Sequence, residues 1–337
     1  MIDISTIRKQ AKSMKKISVK DIEGIRIGNA QNFTGGTGCT VILSETGMCA
    51  GLDVRGGGPA SRESELLKPL AAAQSIHAVL LGGGSAFGLD AAGGVMQFLE
   101  EKGIGFDVGV TRVPLVCQSD IFDLTVADAH VRPDKEMGYE ACKGAYADNY
   151  QDGNFGVGTG ATVGKFKGMD YCMKSGIGSY AVQIDDLKVG AIVAVNALGD
   201  IYDYRTGKIA AGMLNEERSA FADTAKLLYN SYEVHENKFV GNTTIGVIIT
   251  NARFDKSQLC KIAGMTHNGY ARSIRPVHTS ADGDSIYALS VGNIAADCDM
   301  VGTLAADVMS EAILTAVKNA ESAYGYPAYK DLCFLHC

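Results

Sequence analysis

Asn242, Thr243 and Thr244 stand where a polar segment, "NSYEVHENK", gives way to the apolar run "IGVIITNA". A threonine hydroxyl is a weak nucleophile until a base lies beside it, and one such base is the residue's own α-amine once the preceding peptide bond is cut. An α-amine titrates near about 8, well below a lysine, so a useful fraction is neutral at working pH. Inside a continuous chain the same nitrogen is an amide and accepts no proton. Cleavage between Asn242 and Thr243 would therefore create the catalyst. The dipeptide alone does not decide the matter, because β-branched residues also open ordinary strands.

Other chemistry-bearing stretches give less. "GGGSAFG", residues 82–88, resembles a phosphate-cradling turn between a strand and a helix, but it lacks both the G-x-G-x-x-G spacing and a following Lys. It reads better as a tight turn lining a cleft, with Ser85 a weak candidate nucleophile that has no His near it in sequence. The six histidines, at 77, 130, 235, 267, 278 and 336, fall in no H-E-x-x-H or nucleophile-elbow pattern. If the chain is a hydrolase, its general base is expected not to be imidazole. Nine cysteines include no C-x-x-C pair, which suggests neither a disulfide framework nor a zinc site. The tail "CFLHC" has one His between two Cys and reads as incidental, so no metal and no cofactor are expected.

These residues need a scaffold, and the pattern supplies one. "CTVILSE" and "HAVLLGG" read as strands, "FGLDAAGGVMQFLEEKG" as a helix closed by Gly103, and "SYAVQIDDLKVGAIVAVN" as a hairpin turning near Asp185 and Asp186 and ending at Asn196. A helix is expected over 214–230, a strand from Thr243, a helix in "DKSQLCKIAGMTHNGYARSI", a strand in "DSIYALSVG", and a long amphipathic helix from Asp299. Long two-sided strands with several helices favour a layered α/β sandwich in a single domain of 337 residues.

Composition narrows the class. Hydrophobic residues make up 46% and charged ones 20%, a globular profile, and the net charge of −7 lacks the positive field that nucleic acid requires. The one basic cluster, "IRKQAKSMKK", reads as a solvated terminal segment. No apolar h-region follows it, and no stretch is read as reaching the roughly 18 apolar residues of a membrane span, so a cytoplasmic protein without a membrane partner is expected.

"RIGNAQNFTGGTGCTVIL", "GLDVRGGGPASRE", "LLGGGSAFGLDAAGGVMQFLEE", "GTGATVGK", "VAVNALGDIYD", "NTTIGVIITNA" and "IRPVHTSADGDSIYALSVG" together resemble the DmpA/P1 family of self-processing peptidases and amidases. That family takes in L-aminopeptidase D-esterases, β-peptidyl aminopeptidases and 6-aminohexanoate-oligomer hydrolases. The resemblance runs from about Gly24 to Tyr324, with the motifs in family order.

The resemblance implies a four-layer αββα sandwich, like that of the ornithine acetyltransferases. It also implies autoprocessing into an α chain of residues 1–242 and a β chain of residues 243–337. Thr243 falls on the family's nucleophile, Asn242 on the end of the α chain, Lys165 on its lysine and Asn196 on its asparagine. Asp282 and Asp284 of "DGD" match the acidic pair of the oligomer-hydrolase branch, where aminopeptidase members carry Ser and Glu.

In those positions Lys165 would lower the Thr243 amine pKa, and Asn196 would give an N–H to the oxyanion. The two aspartates would orient the Thr243 ammonium. Asp120 of "CQSDIFDL" would hold the substrate's amine, and Phe122 stands where some members have Tyr. The expected substrates are small peptides, amino-acid amides or ω-amino-acid oligomers, and the expected assembly is a homo-oligomer, a tetramer of α/β pairs. Two alternatives stay open: acyl transfer of the ornithine acetyltransferase kind, and a small-ligand-binding module that cleaves nothing.

Overall fold

The computed structural model describes residues 13–231 and 241–332. Ten strands among these residues carry the architecture: β1 (Met14–Ile17), β2 (Arg26–Asn32), β3 (Thr37–Val54), β4 (Ala60–Arg62), β5 (Ile76–Gly82), β6 (Val116–Asp120), β7 (Ile177–Ile184), β8 (Leu187–Asn196), β9 (Thr243–Ala252) and β10 (Ser285–Ile294). They are hydrogen-bonded in the order β1-β7-β8-β9-β10-β3-β5-β6-β4, with β2 also on β3. The helices are α1 (Ala91–Glu101), α2 (Lys135–Tyr146), α3 (Thr224–Asn230), α4 (Lys256–Ser273) and α5 (Cys298–Asn319).

The 18-residue β3 belongs to two sheets at once. Its end, residues 49–54, pairs with β10, whereas residues 37–43 pair with β2 and residues 39–43 with β5. Between these stretches the register breaks, and Gly47 at φ +81° turns the strand. The halves therefore fold onto each other. Ile42, Val79, Leu81 and Cys117 from one face meet Ile192, Ala194, Ile245, Val247 and Tyr287 from the other, in one buried cluster.

Side chains one position along each strand point the opposite way, as strand geometry requires. Val193, Val195, Ile248 and Ile286 pack under Ile262, Tyr270, Val301 and Ile313 of α4 and α5. Val41, Leu43, Leu80 and Val116 pack under Val95, Leu99 and Cys142 of α1 and α2. Three apolar layers thus separate helices, sheet, sheet and helices, the four-layer αββα sandwich expected from the sequence.

Most element readings hold, including the hairpin at Asp185 and Asp186 and the stop at Gly103, whose N–H bonds to Glu100 O. Two are corrected. The helix expected over 214–230 exists only as α3, because Asn215 Oδ1 accepts from Ser219 N and Ala220 N and folds that stretch into turns instead. The start of the basic cluster lies outside the described residues, and its end, Met14–Ile17, is a strand on β7 with Met14, Lys15 and Lys16 exposed to solvent. The helix Cys298–Asn319 is also long and apolar enough by composition to cross a membrane. Buried over 67% of its most apolar window, it serves as a core helix. The tail "CFLHC" and His235 lie outside the described residues.

Candidate active site

Thr243 opens β9, the strand between antiparallel β8 and parallel β10. The β8–β9 register sets Asn196, the last residue of β8, directly opposite Thr243. A slip of one residue would turn the hydroxyl to the other face, so the ladder fixes where the Thr243 side chain points. Thr243 is only 5% exposed. Its Oγ1 donates to the carbonyl oxygen of Asn242, and that oxygen also accepts from Gly283 N at 3.0 Å. The Thr243 hydroxyl, the Asn242 carbonyl and a backbone donor are therefore in contact across the 242–243 peptide bond.

Lys165 is fixed by its backbone to the chain just after β8, donating from N to Leu198 O at 3.1 Å. Its Nζ reaches three oxygens: Asn196 O at 3.0 Å, Asn196 Oδ1 at 2.8 Å and Gly241 O at 3.1 Å. Complete burial pulls the Lys165 pKa down to about 7, against the opposing pull of Cys172, Asp282 and Asp123. The lysine is thus poised between ammonium and amine near neutrality, which makes it a weaker like-charge neighbour for Thr243 than a fully charged lysine would be.

Asn196 is engaged at both ends of its amide. Its Oδ1 accepts from Lys165 Nζ and from Thr162 N at 3.1 Å, which fixes the amide orientation, and its Nδ2 donates to Phe122 O at 3.0 Å. In the continuous chain the donor on the Asn242 carbonyl is the Gly283 backbone. Asn196 instead ties Lys165 to the Phe122 segment.

The two aspartates also divide their work. Asp284 Oδ1 accepts from Thr244 N at 2.7 Å, one residue beyond Thr243, and its Oδ2 accepts from His278 N and Nδ1. Asp282 Oδ2 takes Thr279 N and Oγ1, bracing the loop that carries Gly283. Burial and then the Asp284 charge push the Asp282 carboxyl up to about 6, despite the Thr279 donors and Lys165. The pair holds β9 and its facing loop.

Phe122 lies against the site: a side chain on Gly241 would overlap the Phe122 ring, so only glycine lets this segment reach Lys165. Asp120 and Ser85 group with the glycine turn instead. Asp120 Oδ1 accepts from Gln118 Nε2 at 2.8 Å, and Oδ2 has no hydrogen-bond partner although fully buried. Burial drives this carboxyl well above the usual range, with Gln118 opposing and Asp123 adding to the rise. Ser85, at φ +54°, bonds through its N to Ile121 O at 2.9 Å. Among the described residues, no group of three or more His, Cys, Asp and Glu could hold a metal ion.

A sequence pattern running over residues 18–330 is that of Peptidase family S58. The chain belongs to this family. Among S58-like relatives, an uncharacterized aminopeptidase of Mycobacterium leprae is 37% identical over 339 residues, covering 93% of each chain. A 6-aminohexanoate-oligomer endohydrolase of Agromyces is 28% identical over 340 residues, covering 94% of this chain and 89% of that one. The β-aminopeptidase of Burkholderia superposes with a TM-score of 0.66 at 18% identity, covering 95% and 92%. The L-aminopeptidase D-Ala-esterase/amidase of Ochrobactrum anthropi, described as a variant of the Ntn hydrolase fold, gives 0.66 at 17%, covering 90% and 86%. The family makes this chain a hydrolase, which sets aside the module that cleaves nothing.

Two buried charges near the site were not singled out in the sequence. Asp123 accepts from Thr37 Oγ1 and Gly84 N, both at 2.7 Å, and burial pushes it up to about 6. Lys174 is buried with its Nζ on Gly158 O, Ala161 O and Ser175 O, and burial pulls it down to about 7. Asp123 falls in the "CQSDIFDL" stretch, and Lys174 in none of the quoted motifs. A buried charge is recognisable only once the fold has closed over it.

Proposed function

We propose that Thr243 is the nucleophile of a self-processing amide hydrolase that acts on small peptides, amino-acid amides or ω-amino-acid oligomers. The observation that carries this reading is the contact of the Thr243 hydroxyl with the Asn242 carbonyl, whose oxygen already accepts the Gly283 N–H. Attack forms an Oγ–C bond, and the Gly283 N–H stabilises the charge growing on the carbonyl oxygen. The C–N bond then breaks, the Oγ proton goes to the departing nitrogen, and an ester joins Asn242 to Thr243. Water hydrolyses that ester, leaving a carboxylate on Asn242 and a free amine on Thr243.

The amine then serves as base for its own hydroxyl, and a substrate amide takes the place of the 242–243 bond, passing through an acyl-enzyme. Lys165 loses one acceptor if Gly241 moves after the cut, which frees an N–H to face the substrate. The relatives named aminopeptidase and oligomer endohydrolase support the substrate class. Asp120, with a buried oxygen lacking a partner, is the residue proposed to meet the substrate amine.

Intact mass and N-terminal sequencing of purified protein are expected to return fragments 1–242 and 243–337 that co-elute without denaturant. Thr243→Ala is expected to stay whole and lose amidase activity. Amidase activity surviving in that variant overturns the reading.

A further inference from the structure

No histidine stands in a catalytic motif of the sequence, yet one lies a single side chain away from the strand that Thr243 opens. His278 donates twice to Asp284 Oδ2, from its backbone N at 3.1 Å and from Nδ1 at 2.9 Å. The ring nitrogen facing a carboxylate carries the proton, so Nδ1–H is the donor and its tautomer is set. The other oxygen of the same carboxylate takes Thr244 N at 2.7 Å. The loop from His278 to Asp284 also supplies Gly283 N to the Asn242 carbonyl. One short loop therefore grips both sides of the 242–243 bond, and the imidazole is the side chain that holds its carboxylate in place.

Two features define the setting of this imidazole. His278 sits at φ +57°, a left-handed conformation that is uncommon outside glycine but that His adopts more readily than most residues. Its ring also packs against two other rings that carry polar atoms. His267 stands edge-on at 4.7 Å between centroids, and Tyr270 is stacked at 6.0 Å, both from α4. His267 Nε2 in turn lies 3.1 Å from Asp53 O on β3, where Arg55 pairs with the Asp53 carboxylate. Asp282 is the remaining titratable group on the His278 loop, and its negative charge is kept apart by its own Thr279 donors. Burial pulls His267 down to about 4, so it stays neutral beside His278 at working pH.

We infer that His278 is a positioning residue for the Thr243 site. Its Nδ1–H orients Asp284, Asp284 pins Thr244 N, and the pinned strand sets the Thr243 hydroxyl against the Asn242 carbonyl. This inference rests on Thr243 being the nucleophile, and it deepens that reading by assigning what aligns it.

The test uses the full chain made in a cell-free translation reaction, with the rate of appearance of fragment 243–337 as readout. His278→Gly relieves the positive φ and removes the donor, and it is expected to slow cleavage at least ~10-fold, the scale of a lost hydrogen bond to a charged group. His278→Asn tolerates the same φ and restores an N–H donor, and it is expected to cleave within about threefold of the parent. Free imidazole added to the Gly variant is expected to speed its cleavage.

Cleavage of His278→Gly at the parent rate overturns the inference and leaves the Thr243 reading intact. An Asn variant as slow as the Gly variant overturns it too, because ring packing on His267 and Tyr270 would then be what matters. A parent chain that never cleaves before Thr243 overturns the nucleophile reading, and this inference with it.

Discussion

A methyl group built on Gly283 would stand 2.8 Å from Thr243 Oγ1 and 3.0 Å from Gly58 O. The Gly58 carbonyl is backbone and gives little, so the hydroxyl is the group that must move. Gly283→Ala keeps the N–H that polarises the Asn242 carbonyl but displaces the attacking oxygen. Misplacement by a fraction of an ångström to an ångström costs up to ~100-fold in such reactions. Gly283→Ala is therefore expected to fold with a melting temperature near that of Thr243→Ala, and to accumulate uncut chain on denaturing gels. Normal cleavage in that variant would show that the Asn242 carbonyl is attacked from another direction.

At this scale the sequence showed residue types but not backbone donors. Thr243, Lys165, Asn196, Asp282 and Asp284 carry chemistry in their side chains, and the structure brings them together. The donor on the Asn242 carbonyl is a main-chain N–H, which every residue but proline possesses and no motif announces. Asn196, read as an oxyanion donor, spends one of its two amide N–H groups on Phe122 O and its oxygen on Lys165.

Among the elements, the strand that Thr243 opens is held by what lies on either side of it and above it. The α5 helix rests on the β7–β8 hairpin, and at Gly178 the approach is so close that a Cβ would come within 2.3 Å of Ala312 O and Ala316 N. Both atoms are helix backbone and cannot swing aside. Gly178→Val is expected to lift α5 off the sheet, destabilising the chain by about 1–3 kcal/mol, the range for overpacked cores. A denaturant midpoint unchanged from the parent would contradict that account.

Element boundaries were legible where a local device sets them. Asp255 caps α4 with Gln258 in a reciprocal box, and Asp297 caps α5 through Met300 N. The 214–230 stretch was misread because its periodicity is compatible with a helix while the Asn215 side chain competes for the backbone donors. The division of β3 between two sheets was not legible at all, since an unbroken apolar run looks the same in one sheet or two.

Across the whole molecule, the two fully buried lysines make stability depend on pH in a definite direction. Lys165 and Lys174 are each pulled by burial from 10.5 to about 7. Between those values the unfolded chain holds two protons that the folded chain has released, so unfolding takes up protons and stability rises with pH. Below about 7 both lysines must be charged inside the fold, and the penalty is at its fullest.

The window from about 7 to 8 is set by these two groups. The raised carboxyls of Asp123 and Asp282, at about 6, act at lower pH, as does His267. The thiols of Cys39, Cys49, Cys117, Cys142, Cys172 and Cys298, all raised above 9.0, oppose the trend from about pH 8 upward, as the unfolded chain's thiols begin to ionise. Each lysine contributes at most about 1.4 kcal/mol per pH unit to the slope. Unfolding free energy of the Thr243→Ala chain, measured by denaturant titration at pH 7, 7.5 and 8, is expected to increase across the series. Adding Lys174→Met is expected to lower stability at every pH, because three carbonyls lose their donor, and to flatten the slope by about half, as removal of one of two equivalent lysines requires. A slope unchanged by that substitution would mean Lys174 stays charged in the folded protein, held by the oxygens of Gly158, Ala161 and Ser175 against the cost of its burial.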